Sequence, residues 1–147
     1  ALIEGAVGGI VATDCKIGRS RYWAANATVP VNEISFRIVM TNVSSKPVTL
    51  SGDNFATTLD GTPIPPFNFS ARDVGDADIW RTYDSLTIRP GEERSVALAY
   101  EISQPTYDSW YRSSRTVAVS FTCGNQRVTY TKNSRSDEIT VSDIETL

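Results

Sequence analysis

An all-β fold, a two-sheet antiparallel sandwich of about seven to nine strands, is predicted by three features of this sequence. Val, Ile and Thr supply 13, 11 and 16 of the 147 residues, whereas Leu and Met together supply seven. The chain therefore favours side chains that fit a pleated sheet over good helix formers. Strand-like runs recur at spacings of roughly 8 to 15 residues with turn chemistry between them, and no amphipathic stretch reaches helix length. A hydrophobic content of 40% suffices to bury one core, and neither a repeat nor a linker interrupts the chain, so residues 1–147 are expected to form a single domain.

An opening run places Val11, Thr13 and Cys15 on one inward parity. Alternation is clearest from Glu33 to Asn42, with Ile34, Phe36, Ile38 and Met40 on one face and Ser35, Arg37 and Thr41 on the other. The polar connection Asn42-Val43-Ser44-Ser45-Lys46-Pro47 follows, and Val48-Thr49-Leu50 resumes the sheet. Phe55, Thr57 and Leu59 lead into Asp60-Gly61, a hairpin signal because both central residues of a type I′ turn need positive φ. Pro63-Ile64-Pro65-Pro66 lacks the amide donors of a central strand. From Phe67 to Ser85 the chain reads as loop, with one short strand at Ile79 to Tyr83. Strand character returns at Leu86-Thr87-Ile88, turns at Arg89-Pro90-Gly91-Glu92, and continues through Val96, Leu98, Tyr100 and Ile102. Thr116 to Cys123 and Gln126 to Lys132 flank Gly124-Asn125, a second compact hairpin, and a last strand is expected at Glu138 to Val141.

The chain has no histidine, which removes the commonest general base and the usual zinc, copper and haem ligand. No metal or other cofactor is expected. Net charge is −3 and no run of five like charges occurs, so the sequence carries no footprint for nucleic acid. No apolar run is long enough for a transmembrane helix. The chain begins at Ala1 without an initiator Met and without the basic and apolar regions of a signal peptide, which leads us to expect that a leader or some other preceding segment was removed. Cys15 and Cys123 both fall on inward parities. Two inward thiols near opposite ends of a β-domain suit an inter-sheet disulfide, whose loop of about a hundred residues is worth roughly 4 to 5 kcal/mol in the chain-entropy model. Two separate buried cysteines are the other arrangement.

Thr41-Asn42-Val43-Ser44-Ser45-Lys46-Pro47-Val48, then Phe55, Asp60-Gly61, Leu86-Thr87-Ile88-Arg89-Pro90-Gly91-Glu92 and Ala99-Tyr100-Glu101-Ile102 follow one another in an order that resembles the bacterial telokin-like, immunoglobulin-fold secreted domains. That group includes domains on lipoproteins and a mycobacterial secreted immunogenic protein. The resemblance covers roughly residues 31 to 102. It implies an immunoglobulin-like sandwich and a secreted or extracytoplasmic location, at the cell surface or in a periplasm-like space, and it supplies no family catalytic residues to carry over.

The densest candidate site is the segment Pro105 to Arg115, in which Tyr107, Trp110, Tyr111, Arg112 and Arg115 combine rings with guanidinium groups. Such residues dominate protein interfaces and also stack on sugars. The leading expectation is a non-catalytic protein that binds a protein or surface partner through this loop, with Trp110 presented and its removal nearly neutral for stability. A carbohydrate-binding module using the loop at 107–115 is the alternative, and a hydrolase working through distant carboxylates is third. Trp80 joins the surface only if the fold brings it there, and the other reading makes Trp110 a lid over the sandwich end. Asp73, Asp76, Asp78 and Asp84 concentrate oxygen ligands without the full calcium-loop spacing, which reads as a solvated acidic loop. Lys16, Arg19 and Arg21 near Tyr22 and Trp23 read as an exposed turn. The adjacent pairs Glu92-Glu93 and Asp137-Glu138 alternate faces on a strand and cannot converge on one bond. Asn26, Asn42 and Asn68 begin glycosylation acceptor patterns.

Overall fold

The computed structural model describes residues 5–65, 68–73 and 80–147. In chain order the strands are β1 (Ile10–Tyr22), β2 (Val31–Asn42), β3 (Val48–Leu50), β4 (Phe55–Leu59), β5 (Thr62–Ile64) and β6 (Asn68–Asp73). Next come β7 (Arg81–Thr82), β8 (Leu86–Ile88), β9 (Glu93–Glu101) and the helix α1 (Gln104–Asp108). The chain ends with β10 (Thr116–Cys123), β11 (Gln126–Asn133), β12 (Ile139–Val141) and β13 (Glu145–Thr146). One sheet has the order β1-β2-β9-β6-β7, the other β12-β11-β10-β4-β5 with β13 also on β11, and β3 and β8 form a separate ribbon. All of these pairings are antiparallel. The order β1-β2-β9-β6 facing β11-β10-β4-β5 is the A-B-E-D against G-F-C-C′ arrangement of immunoglobulin-like sandwiches. The strand number exceeds the expected seven to nine because β3, β5, β7, β8, β12 and β13 are pieces of two or three residues.

Turn chemistry behaves as the residues require. Asp60 and Gly61 both take positive φ, 52° and 84°, between β4 and β5, the signature of a type I′ hairpin. At Arg89-Pro90-Gly91-Glu92, Gly91 has φ 79° and the Glu92 amide donates to the Arg89 carbonyl at 2.9 Å, a type II turn in which only glycine sits easily at the third position. The inner faces meet in an aromatic core. Phe55 lies 5.1 Å from Phe121 and 6.0 Å from Phe36, and Phe36 lies 5.9 Å from Tyr130, ring centre to ring centre.

Three expectations are corrected. The segment beyond Phe67, read as loop, contains β6, which pairs with β9 from Asn68↔Ala99 to Asp73↔Arg94. Its inward residues are Phe69 and Ala71, and with so little apolar signal the strand owes its existence to β9. Second, Val11 and Thr13 do not share the inward side of Cys15. A register shift between Ala12 and Asp14 reverses the parity, so that Ile10 and Ala12 point inward before it and Cys15 and Ile17 after it.

Third, no disulfide forms: Cys15 and Cys123 are both buried and free. The Cys123 sulfur lies against Gly8, 3.8 Å from its carbonyl oxygen, just before the start of β1. Cys15 lies five residues beyond Ile10, about 16 Å further along the strand at 3.3 Å per residue, whereas a disulfide needs Cα atoms within about 7 Å. Gly8 has φ +56°, and a Cβ there would stand 2.5 Å from that sulfur, so a side chain at this position would be excluded. Burial, reinforced by Asp14, pushes the Cys15 thiol up to about 12, and burial also raises Cys123. Thiol titration of the unfolded, unreduced protein is expected to find two free thiols, and the folded protein at pH 7.5 (about neutral) should react far more slowly. Finding no thiol in the unfolded chain would refute this arrangement.

Candidate functional site

One end of the sandwich carries the β1–β2 loop, residues 23–30, and the β9–β10 connection, residues 102–115. The second begins with α1. Ser103 caps this helix, its hydroxyl accepting the Thr106 amide at 3.2 Å, and Pro105 occupies the first turn, where its missing N–H costs nothing. After α1 the chain turns inward. Trp110 is 1% exposed and belongs to the hydrophobic core, with Tyr107 packed against it half-buried. The lid arrangement is therefore the one the protein adopts, and a presented Trp110 is overturned: apolar area at an open sandwich end is best covered by the largest ring within reach.

Arg115 fastens the far end of the connection. Its guanidinium pairs with Asp60 at 3.1 Å and donates to the Ser109 hydroxyl at 3.2 Å, while its backbone amide donates to the Ser134 hydroxyl at 3.0 Å. The Ser134 hydroxyl in turn donates to the Ser113 carbonyl. The connection is held at both ends, and this leaves Tyr111 (62% exposed) and Arg112 facing solvent.

The basic residues read as a turn lie in β1, and the structure brings two of them to the aromatic loop. The Arg19 guanidinium stands 4.2 Å from the Tyr107 ring centre and 4.7 Å from that of Tyr111, and it also donates to the Tyr107 carbonyl. Arg21 lies 4.0 Å from the Tyr107 ring, pairs with Asp108 at 3.1 Å and donates to Asn32 at 2.7 Å. Cation–π contacts of this kind give α1 a defined seat on β1. They link residues 88 positions apart, which no local pattern announces.

Trp80 lies elsewhere, on the outer face of the β1-β2-β9-β6 sheet, 5.4 Å from the Arg37 guanidinium and 5.0 Å from that of Arg72. Two hollows beside it measure about 140 and 120 Å³, below the roughly 300 Å³ at which small-molecule pockets begin. Glu33 lines the first. Its carboxyl is raised above its ordinary range by burial, with Glu101 across the strand adding to the effect and the Ser20 and Tyr22 hydroxyls opposing it.

The acidic segment falls mainly outside the described residues, which include Asp84 but not 74–79. Among the described residues no three or more Cys, Asp or Glu side chains converge as metal ligands, and no helix is long and apolar enough to cross a membrane. Of the three acceptor asparagines, Asn42 is fully buried. Asn26 is exposed in the left-handed region, φ 62°, and Asn68 is paired in β6.

What sequence reading missed is the rest of the end surface. Six large hydrophobic residues are exposed among those described, and four of them stand on or beside these two loops: Tyr22 at 44%, Trp23 at 62%, Val29 at 66% and Tyr111 at 62%. Val29 was detectable as an apolar residue inside an Ala-, Asn- and Thr-rich loop. With the exposed Arg112, they lie on or beside the two connections at this end of the immunoglobulin-like frame.

No family model matches this chain, and no curated protein does. Among solved structures, a protein from Archaeoglobus fulgidus is 11% identical, with 93% of this chain and 98% of that one covered and a TM-score of 0.40. A functionally unknown protein from Listeria monocytogenes EGD-e is also 11% identical, with 76% of each chain covered and a TM-score of 0.41.

Proposed function

We propose that this domain is a secreted or cell-surface binding module without catalytic activity, which grips a protein partner through the loop end formed by Tyr22, Trp23, Val29, Tyr111 and Arg112. The observation that carries the proposal is the placing of four of the six exposed large hydrophobics on those loops. Exposed apolar area concentrated in one place marks contact surfaces, and Trp, Tyr and Arg carry most of the energy in them. Immunoglobulin-like frames present their loops at the two ends of the sandwich, where sequence is free to vary without disturbing the core. The telokin-like resemblance supports the extracytoplasmic setting, and the lack of histidine, which removes the commonest general base, supports the absence of catalysis.

With Trp110 buried and Tyr107 engaged by Arg19 and Arg21, Tyr111 is the one exposed ring in the loop at 107–115. The segment at 107–115 therefore offers no sugar-stacking platform of its own, which is the form the carbohydrate alternative takes. The test compares the native protein with a Trp23→Ala/Tyr111→Ala variant for binding to intact cells of the producing organism, before and after protease treatment of those cells. Binding that is lost in the variant and after protease, with an unchanged melting temperature, is the expected outcome. Binding that survives the double substitution refutes the loop-end reading, and binding that survives protease favours a glycan.

A further inference from the structure

We propose that the free edge of β1 accepts an extended acidic segment of another protein as an added strand. β1 is the outermost strand of its sheet and pairs only with β2. Among the described residues no hydrogen bond from outside that pairing reaches the backbone of residues 15–20. An unpaired edge offers alternate N–H and C=O groups to any chain that lies along it, which is the basis of strand addition.

A groove of about 510 Å³ follows this edge, one wall being the six consecutive residues from Cys15 to Ser20 and the other formed by Lys132, Asp137 and Ile139 near β12. It is the length of edge that matters: six residues of strand match a bound segment of about 20 Å. Gly18 sits midway. A Cβ at this position would meet nothing within 4 Å, and its φ lies outside the positive region, so neither packing nor backbone geometry calls for glycine. A glycine inside a strand weakens it, and where no bulge explains it the residue marks close approach by another backbone. The register shift in β1 lies between Ala12 and Asp14 instead.

Charge selects the occupant. Lys16, Arg19, Arg37 and Lys132 line the groove against the single carboxylate Asp137, in a chain whose net charge is −3. A segment of alternating acidic and apolar residues places its carboxylates beside Lys16 and Arg37 on the outer side and its apolar residues toward Ile17 and Ile139. A second copy of this chain is a poor occupant, because two β1 edges laid together set cations against cations. The proposal rests on the β1 edge alone and does not depend on the loop-end reading.

The test uses the whole chain, labelled with ¹⁵N, and a blocked peptide of about eight alternating Val and Glu residues, a common strand length. The expected result is saturable binding that weakens as salt is added, with amide exchange slowed at alternate positions among residues 15–20. The matching Val and Lys peptide should not bind. Lys16→Glu/Lys132→Glu is expected to weaken binding about tenfold or more, as charge reversal at a complementary contact does. Equal binding of both peptides, protection away from β1, full binding by the charge-reversed variant, or dimerisation through β1 without peptide would each overturn the proposal.

Discussion

Trp110→Ala is expected to destabilise the domain by about 3 to 5 kcal/mol, the range for truncating a large buried aromatic. The ring is 1% exposed and part of the hydrophobic core, so truncation leaves a cavity that the fastened loop cannot collapse into. Ser103 and α1 hold one side of Trp110, and Arg115 with its Asp60 and Ser134 contacts holds the other. For a domain of this size, the loss corresponds to a melting temperature lower by about 10 °C. Urea unfolding of both proteins, with matched slopes, measures it. A difference below about 1 kcal/mol would mean that the ring contributes little to the core and would return Trp110 to the presented surface.

The second large effect is expected at Asn42, which is 0% exposed. Its Nδ2 donates to the carbonyls of Lys46 and Ile88, both at 2.8 Å, and its Oδ1 accepts from the Ser44 amide at 2.9 Å and the Ser44 hydroxyl at 2.7 Å. Its backbone completes the hub, the amide donating to the Glu92 carbonyl at 3.1 Å and the carbonyl accepting from the Gly91 amide at 2.8 Å. The side chain thus ties the end of β2 to the β2–β3 connection and to β8. Asn42→Ala leaves the buried Ile88 carbonyl without that donor, and each such loss costs about 1 to 3 kcal/mol. A net cost of about 2 to 4 kcal/mol is expected. Asn42→Asp should cost more at neutral pH than at acidic pH, because ionised Asp lacks both donors and buries a charge beside two carbonyls. Equal stability of the Asp variant at the two pH values would refute that account. The same burial withholds Asn42 from glycosylation in the folded protein, although its sequence pattern is that of an acceptor.

Much of the frame was legible because it is written over a few neighbouring residues. The alternation from Ile34 to Met40 places β2 with its inward face correct, and Asp60-Gly61 and Pro90-Gly91 mark turns whose φ values only such residues adopt readily. β6 escaped because Phe69 and Ala71 are its whole apolar signal and its strand form is supplied by β9. Parity in β1 escaped because a bulge leaves no unambiguous mark in the residues around Thr13, yet reverses every side chain beyond it.

The candidate site divides in the same way. That Pro105 to Arg115 is a ring- and arginine-rich connection, and that Lys16, Arg19 and Arg21 are clustered, could be read directly from the residues, since both are facts of local composition. That Arg19 lies against Tyr107 and Tyr111, that Trp110 turns inward while Tyr111 stays out, and that the two cysteines lie too far apart to join were set by packing across the fold. Those outcomes depend on which elements meet across about ninety residues of chain, where the choice rests on the total apolar area covered and the partners found for each polar group. Local patterning sets the φ angles and the faces, and the packing of one sheet on the other sets what each face meets.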